Sequence, residues 1–113
     1  MTDVEANKAL VERYLAMWNS GDETIADEIL APDWQDHNHP EVGSIEDVKT
    51  ALRATRKAYP DFHITTEAIL GERNVVALRA LVHRSGSTSK VVWFVRVDDG
   101  KLAELWTVAE PAR

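Results

Sequence analysis

The first half of the chain spaces its apolar side chains as helices do. Between residues 2 and 20 they recur about one helical turn apart, at Leu10, Val11, Tyr14, Leu15 and Trp18. Thr2 or Asp3 can cap the start of this predicted helix. The Ser20-Gly21 step ends it, because glycine tolerates the left-handed backbone conformation beyond a helix C-terminus.

Two further helices are predicted before residue 60. Asp22 caps a helix that runs to Leu30 and is stopped by the proline two residues later, which lacks an amide hydrogen. Ser44 begins the third helix in a capping box, with Asp47 three residues after the cap. This helix ends at Tyr59, because a residue that precedes proline disfavours helical geometry.

The second half changes to the period of two that is typical of strands. The first predicted strand directs alternate side chains inward, namely Phe62, Ile64, Thr66, Ala68 and Leu70. Three more strands are predicted at residues 75–83, 91–98 and 102–110. The turns between them lie at residues 71–74, 84–89 and 98–101. Each turn contains a glycine, which readily takes the positive φ of a tight turn.

Helices followed by antiparallel strands predict the α+β class. We expect one domain over residues 1–113, because a chain of 113 residues has the usual length of a single domain. Its three N-terminal helices would pack on a curved antiparallel sheet of four to five strands. A sheet that curls around the helices leaves a conical space between them, as in a cone-shaped α+β barrel.

Composition narrows the choice of partners. Hydrophobic residues make up 44% and charged residues 28%, the balance of an ordinary soluble protein. A net charge of −6 without a basic cluster argues against nucleic-acid binding. The apolar runs are far shorter than the ~20 residues that span a bilayer, and no apolar leader is recognisable, so we expect a cytoplasmic protein. The lack of cysteine excludes disulfides, thiolate metal sites and cysteine nucleophiles.

Four segments give the chain a family resemblance. They read YLAMWNSGD at residues 14–22, APDWQDHN at 31–38, YPDF at 59–62 and DGKLAELW at 99–106. In this order they resemble the SnoaL-like polyketide cyclase group of the nuclear transport factor 2-like superfamily. The resemblance implies the conical fold. It leaves the function open, because the superfamily includes cyclases, ketosteroid isomerase, epoxide hydrolases, dehydratases and non-catalytic binding modules.

The resemblance also points to acidic residues in the last strand. Cyclases of this group use an acid four residues after the strand's tryptophan, and that position is Glu110 here. Alternation would put five side chains on one face of this strand: Leu102, Glu104, Trp106, Val108 and Glu110. Two carboxylates on a buried apolar face would have raised pKa values, which suits proton transfer. Alternatively, Glu104 pairs with Arg79 or Arg96.

The densest polar cluster is Asp36-His37-Asn38-His39. His37 matches the pocket-facing histidine of the family, so we rank it first among the catalytic candidates. A neighbouring carboxylate such as Asp36 can fix its tautomer. In an extended segment His37 and His39 would face the same side, but two histidines need further ligands to hold a metal, and we predict no metal and no cofactor.

Tyr14 stands where ketosteroid isomerase has the tyrosine that donates to the substrate oxygen, and a buried phenol can polarise a carbonyl. Asn38 is the other candidate for this role. Trp93 replaces both the protonated aspartate of that isomerase and the histidine of characterised cyclases. The Asp-Arg-Asp arrangement of epoxide hydrolases has only a poorly spaced counterpart, in Asp36, Arg79 and Glu110.

The predicted ligand is a small hydrophobic molecule. A flat apolar wall suits an aromatic ligand, and the predicted substrate-binding residues are Trp18, Trp34, Trp93, Trp106 and Glu104. The opposite sheet face is too apolar for exposure in a monomer, so it predicts a homodimer through Ala103, Leu105, Thr107 and Ala109.

Two functions follow from these observations. The first is a small enzyme that cyclises, isomerises or cleaves a hydrophobic carbonyl compound by acid–base chemistry. His37 and Glu110 would exchange protons, and Tyr14 or Asn38 would stabilise an enolate. The alternative is a non-catalytic small-molecule-binding or dimerisation module of the same fold, and Trp93 at the usual histidine position favours it.

Overall fold

The computed structural model describes residues 3–110, and within them three helices precede most of a five-stranded sheet. The helices are α1 (Asp3–Ser20), α2 (Thr24–Ile29) and α3 (Ile45–Ala58). The strands are β1 (Leu30–Asp36), β2 (His63–Glu72), β3 (Val75–Arg84), β4 (Ser87–Asp98) and β5 (Lys101–Glu110). The predicted α+β class is confirmed.

The predicted helix ends are set by local hydrogen bonds. Gly21 follows α1 with a φ of +81°, and its amide donates to the Met17 carbonyl at 2.9 Å. Ser44 caps α3, because its hydroxyl accepts from the Asp47 amide at 3.1 Å. Both ends agree with the sequence prediction. Thr2, one of the two proposed caps of α1, lies outside the described residues.

The sheet has the order β1-β5-β4-β3-β2 and is mixed rather than purely antiparallel. β1 runs parallel to β5, and the other neighbours are antiparallel. The second helix was predicted to reach Leu30, but that residue opens β1 and pairs with Leu102. The proline inside β1 is tolerated because β1 is an edge strand.

The turns are shorter than predicted, and the strands are correspondingly longer. Arg73-Asn74 joins β2 to β3, and Ser85-Gly86 joins β3 to β4, so residues 87–90 pair with β3 instead of forming a loop. Asp99-Gly100 joins β4 to β5, with φ values of +50° and +72°. Positive φ at both central residues suits the twist of a two-residue hairpin.

A β-bulge in β5 reverses, for the residues after it, which side chains point inward and which point outward. Val97 pairs with Leu102, whereas Arg96 pairs with Glu104, so Ala103 is an extra residue without a partner of its own. Leu102 and Leu105 are therefore both buried. Beyond the bulge, the outward side chains are Glu104, Trp106 and Val108, and the inward ones are Leu105, Thr107 and Ala109.

This phase change corrects the predicted dimer surface, because the set that was expected to face a second copy lies inside, on the helix side. A second bulge in β2, at Glu67, has the same effect. Ile69 packs against the core, whereas Leu70, predicted to point inward, is 70% exposed.

The helices cover one face of the sheet. α1 contacts β2 and β3, and α2 lies between α1 and α3. The Asn19 amide ties α1 to β2 by accepting from the Ile64 amide at 2.7 Å and donating to its carbonyl at 3.0 Å. None of the described helices is long and apolar enough to cross a membrane.

Candidate functional site

The space between the helices and the sheet is a cavity of about 500 Å³. Side chains of α1, α3 and the inner sheet face line it, together with the segment 39–42 that follows β1. This inner space agrees with the predicted cone, whose wide end is bordered by exposed residues, namely His39, Glu41, Arg84 and Glu110.

Aromatic rings form much of the inner wall. The Tyr14 ring lies 5.9 Å from Trp34 and 6.3 Å from Trp18 between centroids, and Trp18 lies 5.9 Å from Phe62. Trp93 of β4 lines the same cavity. Three of the four tryptophans that were predicted to bind a ligand therefore border this space. The fourth, at position 106, is on the outer sheet face.

Among the described residues, Asp36 is the buried carboxyl group of the cavity wall, and it is 8% exposed. It ends β1, where alternation directs it and Trp34 to the inside. Its carboxylate accepts from the Asn38 amide at 3.1 Å. Burial raises the pKa of Asp36, and hydrogen bonds from the backbone of Asn38 and His39 only partly oppose this effect.

Tyr14 of α1 is the second buried polar group of the cavity. Burial raises the pKa of its phenol. The Trp18 side chain partly opposes this effect, and the nearby Asp36 carboxylate adds to it. The phenol therefore stays protonated across the physiological pH range and keeps a hydrogen to donate. Tyr14 and Asp36 together give an apolar cavity one neutral donor and one carboxyl group.

The structure directs His37, the first-ranked catalytic candidate, to the outer sheet face. Its ring stacks on Trp106 at 4.6 Å and 5°, and its Nε2 lies 2.7 Å from a Glu104 carboxylate oxygen. Since Asp36 points inward at the end of β1, the residue that follows it points outward. His37 and Glu110 are therefore not brought together across the cavity, as the sequence analysis had expected.

Glu104 belongs to the same outer cluster and does not line the cavity. Its second oxygen accepts from the Arg96 guanidinium at 2.5 Å, so the alternative of an ion pair with Arg96 is correct. The contacts with His37 and then Arg96 lower the pKa of Glu104. The raised pKa that a buried strand face would have given does not arise for Glu104, because the bulge moves this carboxylate out of the apolar interior.

Asn38 supports the backbone rather than facing a ligand. Its amide nitrogen donates to the Thr107 carbonyl at 2.9 Å, and its oxygen accepts from the Thr107 amide at 2.8 Å. The side chain thereby extends the β1–β5 pairing beyond the end of β1. These contacts occupy the amide group that was predicted to stabilise an enolate.

His37 and His39 do not face the same side, and the Asp-Arg-Asp arrangement is not assembled either. His39 borders the cavity with its Nδ1 3.2 Å from Glu41, whereas His37 lies outside. Within residues 3–110, the histidine and acidic side chains form no group of three that could hold a metal ion. Arg79 is exposed and pairs with Glu67 at 3.5 Å.

Sequence reasoning undervalued Asp36, which it considered only as a partner for His37 or as part of the epoxide-hydrolase pattern. The sequence does contain one indication that Asp36 points inward. Trp34 and Asp36 are two residues apart in an extended segment, so their side chains lie on the same face, and an inward Trp34 predicts an inward Asp36. Glu110 borders the cavity in agreement with its predicted place, although its catalytic role stays a prediction.

Solved structures with the same fold are similar along almost the whole chain. TsrD from Streptomyces laurentii is 21% identical, with a TM-score of 0.84 over 97% of this chain and 92% of its own. IdmH from Streptomyces antibioticus, provisionally assigned as a polyketide cyclase, is 22% identical, with a TM-score of 0.77 over 92% of this chain and 91% of its own.

A protein from Kribbella flavida, provisionally assigned as a ketosteroid isomerase, is 23% identical, with a TM-score of 0.81 over 100% of this chain and 84% of its own. Identities this low establish the fold alone. Among curated proteins, no significant match was found.

The model of the SnoaL-like domain matches residues 11–105, which include both Tyr14 and Asp36. This match covers most of the chain and agrees with the conical arrangement of helices and sheet. The chain belongs to the SnoaL-like domain family.

Proposed function

We propose that this protein is a small enzyme that moves a proton at a carbon next to the carbonyl group of a hydrophobic molecule. The observation that carries the proposal is the buried Asp36 carboxyl group in an apolar cavity, beside the protonated Tyr14 phenol. Asp36 thus takes the base role for which His37 was predicted, and Tyr14 keeps its predicted role.

Each group has a defined part in the reaction. The Asp36 carboxylate takes a proton from the α-carbon, and the electrons of that C–H bond form a carbon–carbon double bond. The carbonyl oxygen gains the negative charge, and the Tyr14 hydroxyl donates a hydrogen bond to it. Desolvation makes the carboxylate a stronger base than it is in water. Where the substrate carries a second double bond conjugated to the enolate, return of the proton from Asp36 to the far carbon completes an isomerisation. Attack of the enolate carbon on a second carbonyl, whose oxygen then takes the proton from Asp36, gives a cyclisation.

The surroundings of these groups support a hydrophobic substrate. The tryptophan side chains of the wall offer flat apolar surfaces, and the two provisional assignments among similar structures, polyketide cyclase and ketosteroid isomerase, both name reactions of carbonyl compounds. We retain Glu110 as a second acid–base group, which would exchange protons between the cavity mouth and solvent. We expect the protein to act in the cytoplasm.

The test is deuterium exchange at the α-carbons of 2-tetralone in deuterium oxide, followed by proton NMR. The folded protein should exchange these protons faster than buffer does, and the His37→Gln variant should match the wild type because His37 lies on the outer face. Binding of 2-tetralone without exchange would instead favour the non-catalytic alternative. The separation of His37 from Glu110 supports that alternative.

The exchange rate should depend on pH in one direction. Only the carboxylate form of Asp36 accepts a proton, so the rate should rise with pH and then level off. Burial raises the pKa of Asp36, with a further rise from Glu41 and an opposing effect of His39, so the midpoint should exceed 3.8. A rate profile measured between pH 3 and 9 with a midpoint at or below that value would contradict the assignment of the base.

We also propose a homodimer, formed through the outer sheet face but by other residues than the sequence predicted. Phe94 pairs across strands with Trp106, and Val92 pairs with Val108. All four side chains are exposed, and Val108 is 72% exposed. Such a contiguous apolar patch, bordered by the Arg96–Glu104 ion pair, has the composition of an interface centre with a polar rim.

The Phe94→Glu variant should elute as a monomer, because a carboxylate at the centre of this patch would be buried without a partner. Light scattering at micromolar concentration measures the mass. Ala54→Glu adds the same charge at an exposed position of α3 and should leave the dimer intact. A wild-type protein that is monomeric under these conditions would contradict the dimer.

A further inference from the structure

One donor in the cavity wall has no hydrogen-bond partner. Among the described residues, the indole Nε1 of Trp34 is the buried side-chain polar atom left without one. Trp34 is 3% exposed and borders the cavity. Buried N–H groups are nearly always paired, because burial removes their water without compensation. A buried donor without a partner is suited to form a hydrogen bond with an acceptor atom of a bound ligand.

The position of Trp34 connects this donor with the proposed chemistry. Trp34 and Asp36 point inward from β1, two residues apart, and the Trp34 ring lies 5.9 Å from the Tyr14 ring. The other inner tryptophans differ from it. The Trp18 side chain interacts with the Tyr14 phenol, and Trp93 is only partly buried. Two donors and one carboxyl group therefore lie in the same part of the cavity.

We propose that the Trp34 indole N–H donates a hydrogen bond to the ligand's oxygen, as a second donor beside the Tyr14 hydroxyl. The site then selects flat molecules that carry a carbonyl, enolate or phenolate oxygen over hydrocarbons of the same shape. This inference rests on the proposed function, because the oxygen in question is the one that gains charge during proton transfer. Two donors stabilise that charge better than one.

The first test compares two ligands that differ by one oxygen. 2-Naphthol resembles the enol of 2-tetralone, and naphthalene has the same ring system without an oxygen. The Trp34→Phe variant should bind 2-naphthol about three- to tenfold more weakly than the wild type, the usual effect of one lost hydrogen bond, and naphthalene with little change. Trp93→Phe, the matched control, should change the affinity for both ligands by the same factor.

The second test needs only the wild-type fold. Binding of 2-naphthol should shift the Trp34 indole N–H signal in a proton–nitrogen NMR spectrum downfield, and binding of naphthalene should not. The signal is assigned by elimination from the Trp18→Phe, Trp93→Phe and Trp106→Phe variants. If Trp34→Phe does not fold, this spectrum decides alone.

The outcomes separate this inference from the proposed function. Binding of 2-naphthol that neither shifts the Trp34 signal nor depends on the indole would overturn the donor role, as would a wild-type protein that fails to bind 2-naphthol. A Trp34 effect on 2-naphthol binding without any exchange of 2-tetralone would support the donor and overturn only the proton-transfer function.

Discussion

Replacing Asp36 with Asn is expected to slow deuterium exchange of 2-tetralone by about 10²–10⁴-fold, the usual contribution of a positioned general base. The substitution is nearly isosteric, and the asparagine oxygen can still accept from the Asn38 amide as the carboxylate does. The loss should therefore arise from basicity rather than from geometry. Proton NMR of 2-tetralone at saturating concentration measures the rate.

Stability supplies the control for this variant, because it should change in the opposite direction. The pKa of Asp36 is raised in the folded state, so folding favours the protonated acid, and wild-type stability falls as pH rises through that pKa. The amide that replaces the carboxyl group carries no charge at any pH. The variant should therefore be more stable than the wild type at pH 7, by about 0.5–2 kcal/mol, the range of typical stabilising substitutions.

Urea unfolding at pH 7 and pH 3 checks this expectation. The advantage of the variant should shrink at the lower pH, where the wild-type carboxyl group is protonated in both the folded and the unfolded state. An Asp36→Asn protein that keeps its exchange rate would remove Asp36 from the mechanism. A variant that is less stable at pH 7 would show that the charge is compensated inside the cavity.

Replacing Tyr14 with Phe should lower the same exchange rate by about 10²–10³-fold, the usual loss when one donor to a developing oxyanion is removed. The ring, which packs against Trp34 and Trp18, is retained, so the affinity for naphthalene should hardly change. The expected result is a slower proton transfer with an intact apolar site.

Tyr59→Phe is the matched control for Tyr14→Phe. Tyr59 is partly buried after α3, and the Arg84 guanidinium lies 5.5 Å from its ring centroid, a contact that the phenylalanine ring preserves. This variant should exchange 2-tetralone at the wild-type rate. Equal losses in both variants would indicate a general effect of removing a phenol rather than a donor at the reacting oxygen.

The elements that could be predicted from the sequence are those that local interactions determine. The Ser44 cap, the Gly21 helix end and the Asp99-Gly100 turn each depend on neighbouring residues, and each lies where the pattern predicted. The resemblance added the family, which the domain match confirms.

The face of the sheet to which each side chain points was harder to predict. Because side chains alternate between the two faces, one unrecognised bulge reverses the predicted face of every later residue in the strand. The bulge at Ala103 gives no distinct signal, since an alanine is compatible with either face of a strand. It inverts the assignment of Glu104 and Trp106. His37 was assigned to the wrong face for a different reason. Its position two residues after the exposed Gln35 predicts an outward side chain, but the family resemblance predicted an inward one.

The Ala103 bulge also implies that β5 tolerates changes in length very unevenly. In a two-residue hairpin such as Ser85-Gly86, an added residue can be absorbed by the loop while the strand pairs stay in register. Removing Ala103 would leave the same strand pairs in place, because Leu102 already pairs with Val97 and Glu104 with Arg96. Removing a residue between Glu104 and Glu110 would instead move every later side chain of β5 to the opposite face. We therefore expect natural variation in this family's chain length to collect in the hairpin loops and at the bulge, and to spare the rest of β5.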